Sequence, residues 1–159
     1  MLQFETTGLH TGATPTLYSI GHSNVATERL LALLRQHGIA TVCDVRSKPY
    51  SRYNPQFNRE AVAESLVRAG LAYHYFGDTL GGLADQPAPA FERGIAQLIA
   101  LGAQAATAFM CAEASYHGCH RQRLITPALI ERGVEVWHIM ADGSLERGAI
   151  APQQMRMFE

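Results

Sequence analysis

Hydrophobic positions along this chain fall into two alternating patterns. Five short runs are rich in aliphatic, aromatic and β-branched residues: TLYSI from Thr16, ATVCDV from Ala40, LAYHYF from Leu71, ATAFMC from Ala106 and VEVWHIM from Val134. They lack the strict in-out alternation of half-exposed strands, which predicts strands buried on both faces. Between them, apolar residues recur at helical spacing. Leu30, Leu31, Leu33 and Leu34 form one stripe, and Val62, Leu66 and Ala69 a second. Phe91, Ile95, Leu98 and Ile99 form a third, and Leu124, Ile125, Ala128 and Leu129 a fourth.

The helix ends are marked. Gly38, Gly70, Gly102 and Gly133 stand where each helix should stop, in positions suited to left-handed caps. Asn58 is expected to cap the second helix, with Glu60 and Glu64 in its early turns. Pro127 interrupts the fourth stripe. Inside a helix it removes a hydrogen bond and clashes with the preceding turn, at ~3 kcal/mol. The pattern therefore predicts either a kink there or a helix that begins at Thr126 with Pro127 in its first turn.

The resulting order, β-α-β-α-β-α-β-α-β, predicts an α/β fold: a single-domain three-layer sandwich around a five-stranded, mainly parallel sheet with right-handed crossovers. A Rossmann-like strand order is the first expectation and a flavodoxin-like order the alternative. The α/β domain is expected over residues 16–140. Residues 1–15 read as a polar tail with room for an extra edge strand, and residues 141–159 as a meandering extension packed on the same domain.

Composition narrows the functional classes. The chain has 159 residues, enough for one domain with a real core and few for two. It is 47% hydrophobic and 17% charged, which reads as soluble and globular. A net charge of -1 gives no overall signature of a nucleic-acid binder, so such a role would need a local basic patch. Three cysteines without framework spacing point to reduced thiols and a cytoplasmic location. The N-terminus shows no signal-peptide pattern. No apolar run approaches the roughly 20 residues of a membrane span, so no membrane partner is expected.

Chemistry-bearing residues follow the strands. GHSN comes after the first, DVRSKPYSRYNPQFNR after the second, GDTLGG after the third, and CAEASYHGCHR, Cys111 to Arg121, after the fourth. The turns at the opposite ends (HGIA, RAGLA, ERGVE) are plain. In parallel sheets, ligands bind beyond the strand carboxyl ends, so the polar residues gather at the functional edge.

Within the fourth segment, Cys119 stands at an expected helix start, beside His120 and Arg121. Free amides and positive charge there would lower its pKa, making it a nucleophile, with His120 or Glu113 moving protons. The competing reading makes both cysteines packing residues. Spacing excludes a cysteine-phosphatase or rhodanese-type loop, because His117 and Ile125 occupy the positions such loops reserve for arginine. A zinc site on Cys111, Glu113, His117, Cys119 and His120 lacks a usual finger spacing, so no metal is expected.

The loop after the second strand carries Arg46, Lys48, Arg52 and Arg59 interleaved with Tyr50, Tyr53 and Phe57. That mixture suits a phosphate-bearing small molecule or single-stranded nucleic acid; the alternative is a solvated loop whose aromatics pack on the core. Asp44 reads as a base or as an ion-pair partner of a nearby arginine. His22 could serve acid-base chemistry, and Asn24 could touch a ligand or bind its own backbone in a turn. Gly81 suits a sharp turn or close approach of backbone to ligand. The segment around it is not a dinucleotide fingerprint, and there is no phosphate-binding P-loop.

In this order, YSIGHSN, VCDVRSKPYSRYNPQFNRE, LGG, MCAEASYHGCHR and VEVWHI resemble the prokaryotic domain of unknown function 488 family, over roughly Thr16 to Met140. The family pattern falls on His22, Asp44, Arg46, Pro55, Phe57, Gly81, Cys111, Glu113, Cys119, His120 and Arg121. Family members continue after the C-H-R motif with an uninterrupted helical run, from which Pro127 departs. The resemblance implies a family without an established activity, and it leaves cofactor and reaction open. From the residues, the expected function is binding of a phosphate-bearing ligand, nucleotide or nucleic acid, by a hydrolase or transferase. Cys119, His120, Glu113, His22 and Asp44 would act on the ligand, and Arg46, Arg52, Arg121, Asn24 and Gly81 would bind it. A non-catalytic binding module and a cysteine-based redox or metal sensor are the alternatives.

Overall fold

The computed structural model describes residues 15–81 and 88–150. The expected tail, up to residue 14, and the end of the expected extension, from residue 151, lie outside the described residues. Six strands form one sheet: β1 (Thr16–Gly21), β2 (Thr41–Asp44), β3 (Ala72–Tyr75), β4 (Thr107–Cys111), β5 (Glu135–Ile139) and β6 (Leu145–Arg147). Their spatial order is β3-β2-β4-β1-β5-β6. The first five run parallel, and β6 pairs antiparallel with β5.

The fold class is thus α/β, with corrections. The sheet has six strands where five were expected. The additional strand follows a tight turn in which Gly143 N–H bonds to the Met140 carbonyl and Asp142 accepts from the Ser144 backbone N–H. All three residues of β6 are exposed, so no hydrophobic run announces it. The strand order is neither Rossmann-like nor flavodoxin-like, because β4 lies between β2 and β1. Every residue of β4 is buried and none is charged, as suits the centre of a covered sheet. LAYHYF also departs from the expectation of a strand buried on both faces. It forms the β3 edge, and Ala72 and His74 are exposed.

Helices cover both faces. Leu30, Leu33 and Leu34 of α1 (Thr27–Gln36) and Val62 and Leu66 of α2 (Arg59–Arg68) pack with Ile20, Val42 and Met110. A short α3 (Gly77–Leu80) precedes α4 (Ala88–Gln104). Ile95 and Leu98 of α4 and Leu129 of α5 (Thr126–Glu131) pack with Leu17, Cys43 and Phe109. Neighbouring strand residues such as Val42 and Cys43 serve opposite cores, which is the two-residue period of a doubly covered sheet. Among the described residues, no helix is long and apolar enough to cross a membrane.

Gly38, Gly70 and Gly133 take the expected left-handed conformation after their helices. Gly102 does not end its helix; it lies inside α4, where a Cβ would come within 2.5 Å of Leu17 Cδ2. It lets the helix press onto β1. Asn58 precedes α2, but its side chain accepts the Ser51 N–H (2.7 Å) and leaves the helix amides uncapped. At Pro127, α5 begins at Thr126, as one of the two readings has it. A single π-helical turn, Arg121–Ile125, leads into it and continues the helix toward Cys119. Widened turns of this kind accommodate a helix irregularity and frequently mark functional sites.

Candidate functional site

Because β4 is flanked by β1 and β2, three chemistry-bearing segments leave the sheet side by side. His22 N–H bonds to the Cys111 carbonyl (3.0 Å), Ser23 N–H to Ala112 (2.9 Å) and Val45 N–H to Met110 (3.0 Å). The ladders therefore run on past the strand ends and fix the three loops together. Between them opens a cleft of about 270 Å³. Arg46, Ser47 and Lys48 form one wall; Cys111, Ala112, Glu113, Gly118, Cys119, His120 and Arg123 form the rest.

Asp44 and Arg46 are a buried pair. Arg46 Nε and Nη2 donate to the two Asp44 carboxylate oxygens at 2.8 and 2.7 Å. The Arg46 backbone N–H (3.1 Å) and the Tyr73 hydroxyl (2.6 Å) also donate to that carboxylate. Arg46 Nη1 reaches the Phe57 carbonyl at 2.7 Å and His22 Nε2 at 3.2 Å. His22 Nδ1 donates to the Ser23 carbonyl at 2.6 Å, and its ring tilts against Phe57. Burial holds His22 neutral, with its pKa lowered to about 4. Both ring nitrogens are engaged, so His22 orients Arg46. Asp44 is occupied as an ion-pair partner, and it anchors the wall of the cleft.

The thiols form the floor. Cys111 and Cys119 bring their sulfurs to 3.2 Å. That is hydrogen-bond contact, well beyond the ~2.05 Å of a disulfide. Cys119 Sγ also faces His120 Nδ1 at 3.8 Å, while His120 Nε2 donates to the Val45 carbonyl at 3.0 Å. That carbonyl keeps a proton on Nε2 and turns Nδ1 to the sulfur, where it can receive the thiol proton. The Cys111 hydrogen bond, then His120 and the Arg121 backbone and charge, hold the Cys119 thiol well below the usual range. Cys111 is pushed the other way, by that same hydrogen bond and by burial. The opposed shifts favour Cys119 over Cys111 as the thiol that ionises first.

Arg121 bears on the charge balance. It is the largest fully buried side chain and has no carboxylate within ion-pair reach among the described residues. Nη1 donates to Ser19 Oγ (3.0 Å) and Nη2 to the Glu113 carbonyl (2.7 Å), while Nε finds no acceptor among the described residues. A buried cation of this kind requires a compensating anion. The Arg121 charge is among the influences that favour the ionised form of Cys119. Ser19 in turn donates to His138 Nδ1 at 2.5 Å, and His138 Nε2 donates to Gln122 at 3.3 Å. Burial and the Arg121 charge keep His138 neutral, with its pKa lowered to about 4.

The structure thus gathers Cys119, His120, Glu113, His22, Asp44, Arg46 and Arg121 at one place. Glu113 contributes its carbonyl to Arg121 and Cys111, while the residue stands exposed at the rim of the cleft. Arg121 acts from beneath the cleft and lines none of it. Three expected ligand contacts lie elsewhere. Arg52 is exposed and rests against Tyr53 (3.1 Å to its hydroxyl); Asn24 is exposed, with its Oδ1 near Ser23. Gly81 packs against Ser47, whose Oγ would be 2.1 Å from an added Cβ, and so supports the loop from behind. Ser19, His138, Lys48 and Arg123 were not singled out as site residues. Lys48 was legible in the basic loop; Ser19 and His138 sit inside strands, where pattern alone reads them as core.

Gly21 is needed for a spatial reason. A Cβ there would fall 1.5 Å from the Glu113 carbonyl oxygen, the acceptor shared by Arg121 and Cys111. Gly21→Ala must displace that carbonyl, and overpacking of this kind costs about 1–3 kcal/mol. The midpoint of urea unfolding is expected to fall accordingly. An unchanged midpoint would show that the carbonyl moves without loss.

Among the described residues, no three of His, Cys, Asp and Glu gather as a metal-ligating set. Residues 26–88 match the family model described as Domain of unknown function DUF488, so the chain resembles that family there. The match takes in Asp44, Arg46 and the loop to Arg59, and ends before Cys111–Arg121. No curated protein and no solved structure matches the chain.

Proposed function

We propose that this protein is a cysteine-dependent enzyme, a hydrolase or transferase, acting on a small phosphate-bearing ligand with Cys119 as nucleophile. One observation carries the reading. Cys119 lies at the floor of a cleft, with its sulfur 3.2 Å from that of Cys111 and 3.8 Å from His120 Nδ1, and two positions before a buried arginine that has no carboxylate partner among the described residues. Such surroundings favour the thiolate, which is the attacking form of cysteine. His120 Nδ1 is placed to take the thiol proton and return it to a leaving group.

Lys48 and Arg123 bring positive charge suited to phosphate to a cleft that Glu113 also lines. Its volume of about 270 Å³ lies just below the roughly 300–1,000 Å³ of small-molecule sites, which suits a headgroup. A second recess of about 160 Å³ adjoins it through Arg46, Lys48 and Ala112 and offers Tyr50, Ser51, Asn54 and Asn58. Those phenol, hydroxyl and amide groups suit the sugar or base of a nucleotide. The end of a single strand could enter by the same route, with exposed Tyr50 and Tyr53 beside Arg52 as stacking surface.

The test is alkylation by a neutral reagent across pH 5–9, read by peptide mass spectrometry. The Cys119 rate is expected to stay nearly flat toward acid, because its depressed pKa keeps the thiolate populated there. Cys43, pushed up to about 12 by burial, serves as the unreactive control. Inorganic phosphate and nucleoside phosphates are expected to protect Cys119 in a salt-dependent manner. A Cys119 profile with an apparent pKa at or above ~8.5 overturns the nucleophile. Phosphate protection without low-pH reactivity would favour a non-catalytic binding module.

A further inference from the structure

We propose that Cys111 and Cys119 form a dithiol couple that reduces small anionic disulfides, with Cys119 attacking and Cys111 resolving. The proposal rests on the nucleophilic Cys119 of the preceding section and is independent of the phosphate ligand. It is carried by the second sulfur, which a simple hydrolase or transferase does not need. Any group attached to Cys119 sits against a thiol whose sulfur is 3.2 Å from its own. With an acyl or phosphoryl adduct, that thiol could only take the group onto itself, a transfer from one sulfur to another that releases nothing. With a disulfide adduct, it releases the product.

The two sulfurs also differ in the required sense. Cys119 is 8% exposed at the cleft, and Cys111 is 1% exposed at the end of β4. Both thiols line the cleft, and the incoming substrate meets the more exposed Cys119 first. Lys48 and Arg123 at the cleft favour substrates carrying carboxylates or other anions.

The chemistry balances in two exchanges. The Cys119 thiolate attacks one sulfur of the substrate; a bond to Cys119 forms and the substrate disulfide breaks. The first leaving thiolate takes the proton held by His120. Once Cys119 is capped, the anion that kept Cys111 protonated is gone. Cys111 then loses its proton and attacks Cys119 Sγ; the mixed disulfide breaks, and the second leaving thiolate takes that proton. The substrate has been reduced to two thiols and the protein oxidised to a Cys111–Cys119 disulfide. Closing from 3.2 Å to bonding distance requires a sulfur movement of about 1 Å. A small dithiol reductant resets the pair.

The experiment uses reduced full-length protein and glutathione disulfide as probe, with acid quenching, intact mass and peptide mapping. Wild type is expected to lose two hydrogens, to bridge Cys111 to Cys119 and to release two thiols per chain. Cys111→Ser is expected to hold the mixed disulfide on Cys119, and Cys119→Ser to form neither product. If Cys119 alkylates rapidly at low pH but wild type stops at the mixed disulfide, the couple is overturned and the nucleophile stands. Slow alkylation overturns both. A bridge to Cys43 also overturns the couple. Should Cys111→Ser fail to fold, the wild-type bridge and thiol count decide the matter alone.

Discussion

Asp44→Ala is expected to destabilise the protein by about 3–5 kcal/mol, the cost of breaking a buried ion pair by removing one partner. The carboxylate is fully buried and accepts four hydrogen bonds: two from the Arg46 fork, one from the Arg46 backbone and one from Tyr73. Its loss strands a guanidinium that is 7% exposed and also holds the Phe57 carbonyl and His22. Asp44→Asn keeps the shape but not the charge and should also destabilise strongly. Urea unfolding with an unchanged slope and a lowered midpoint is the expected result. A loss below about 1 kcal/mol would show that the pair behaves like a surface salt bridge and is not an anchor.

Arg121→Met should separate charge from packing. Methionine fills much of the buried volume; it strands no carboxylate among the described residues, but it leaves Ser19 Oγ and the Glu113 carbonyl without the guanidinium donor, at a cost of about 1–3 kcal/mol each. The Cys119 thiolate also loses a cation that favours it. Its pH profile is expected to move upward by about one unit, so the alkylation rate falls up to ~10-fold at the acid end while the rate at neutral pH holds. Arg121→Lys keeps a positive charge and is expected to restore part of the low-pH rate. If Arg121→Met folds and leaves the profile unmoved, Arg121 serves packing alone. The pH axis is the informative one, because a purely structural role would change the amount of folded protein without shifting the profile.

Much of this arrangement was legible in the chain. Periodicity placed all five parallel strands, because each is a short apolar run set between amphipathic stripes. Gly38, Gly70 and Gly133 marked the helix ends, since a left-handed residue there favours glycine strongly. The edge where the strands end was marked by where polar residues collected. Strand order was not legible. Right-handed crossovers and buried strands are common to several orders, and only packing decides that the uncharged Thr107–Cys111 takes the centre. β6 escaped notice because Leu145, Glu146 and Arg147 are all exposed, although Asp142-Gly143 is a turn dipeptide of the kind that joins hairpins.

The site divides in the same way. Residue type and helix-start placement singled out Cys119 and His120, which the structure brings to the cleft. The roles of Arg46 and Arg121 required coordinates. Both are arginines in polar loops, and the sequence offers no means of telling a guanidinium that faces ligand from one turned beneath the floor. Exposure also separates Arg52 from Arg46, although both sit in one basic, aromatic loop. The thiol pair is the clearest case. Eight positions separate Cys111 from Cys119 in the chain, and only the turn through Glu113, whose carbonyl binds both Arg121 and the Cys111 thiol, brings the sulfurs together.

The central position of β4 has a consequence for how the chain acquires its chemistry during synthesis. The strands on either side, β1 and β2, do not pair with each other, and both pair with residues 107–111. A ribosome-bound chain that ends before β4 can form β2 against β3 but cannot close the sheet. Its central pairings are distant in sequence, which makes them late and slow to form. Arg121 has no interior to be buried in until then. In the incomplete chain, Cys43 and the newly emerging Cys111 and Cys119 are ordinary thiols, protonated at neutral pH and weakly reactive. The fold therefore assembles the surroundings of Cys119 only once the last of the central strands has slotted between the first two.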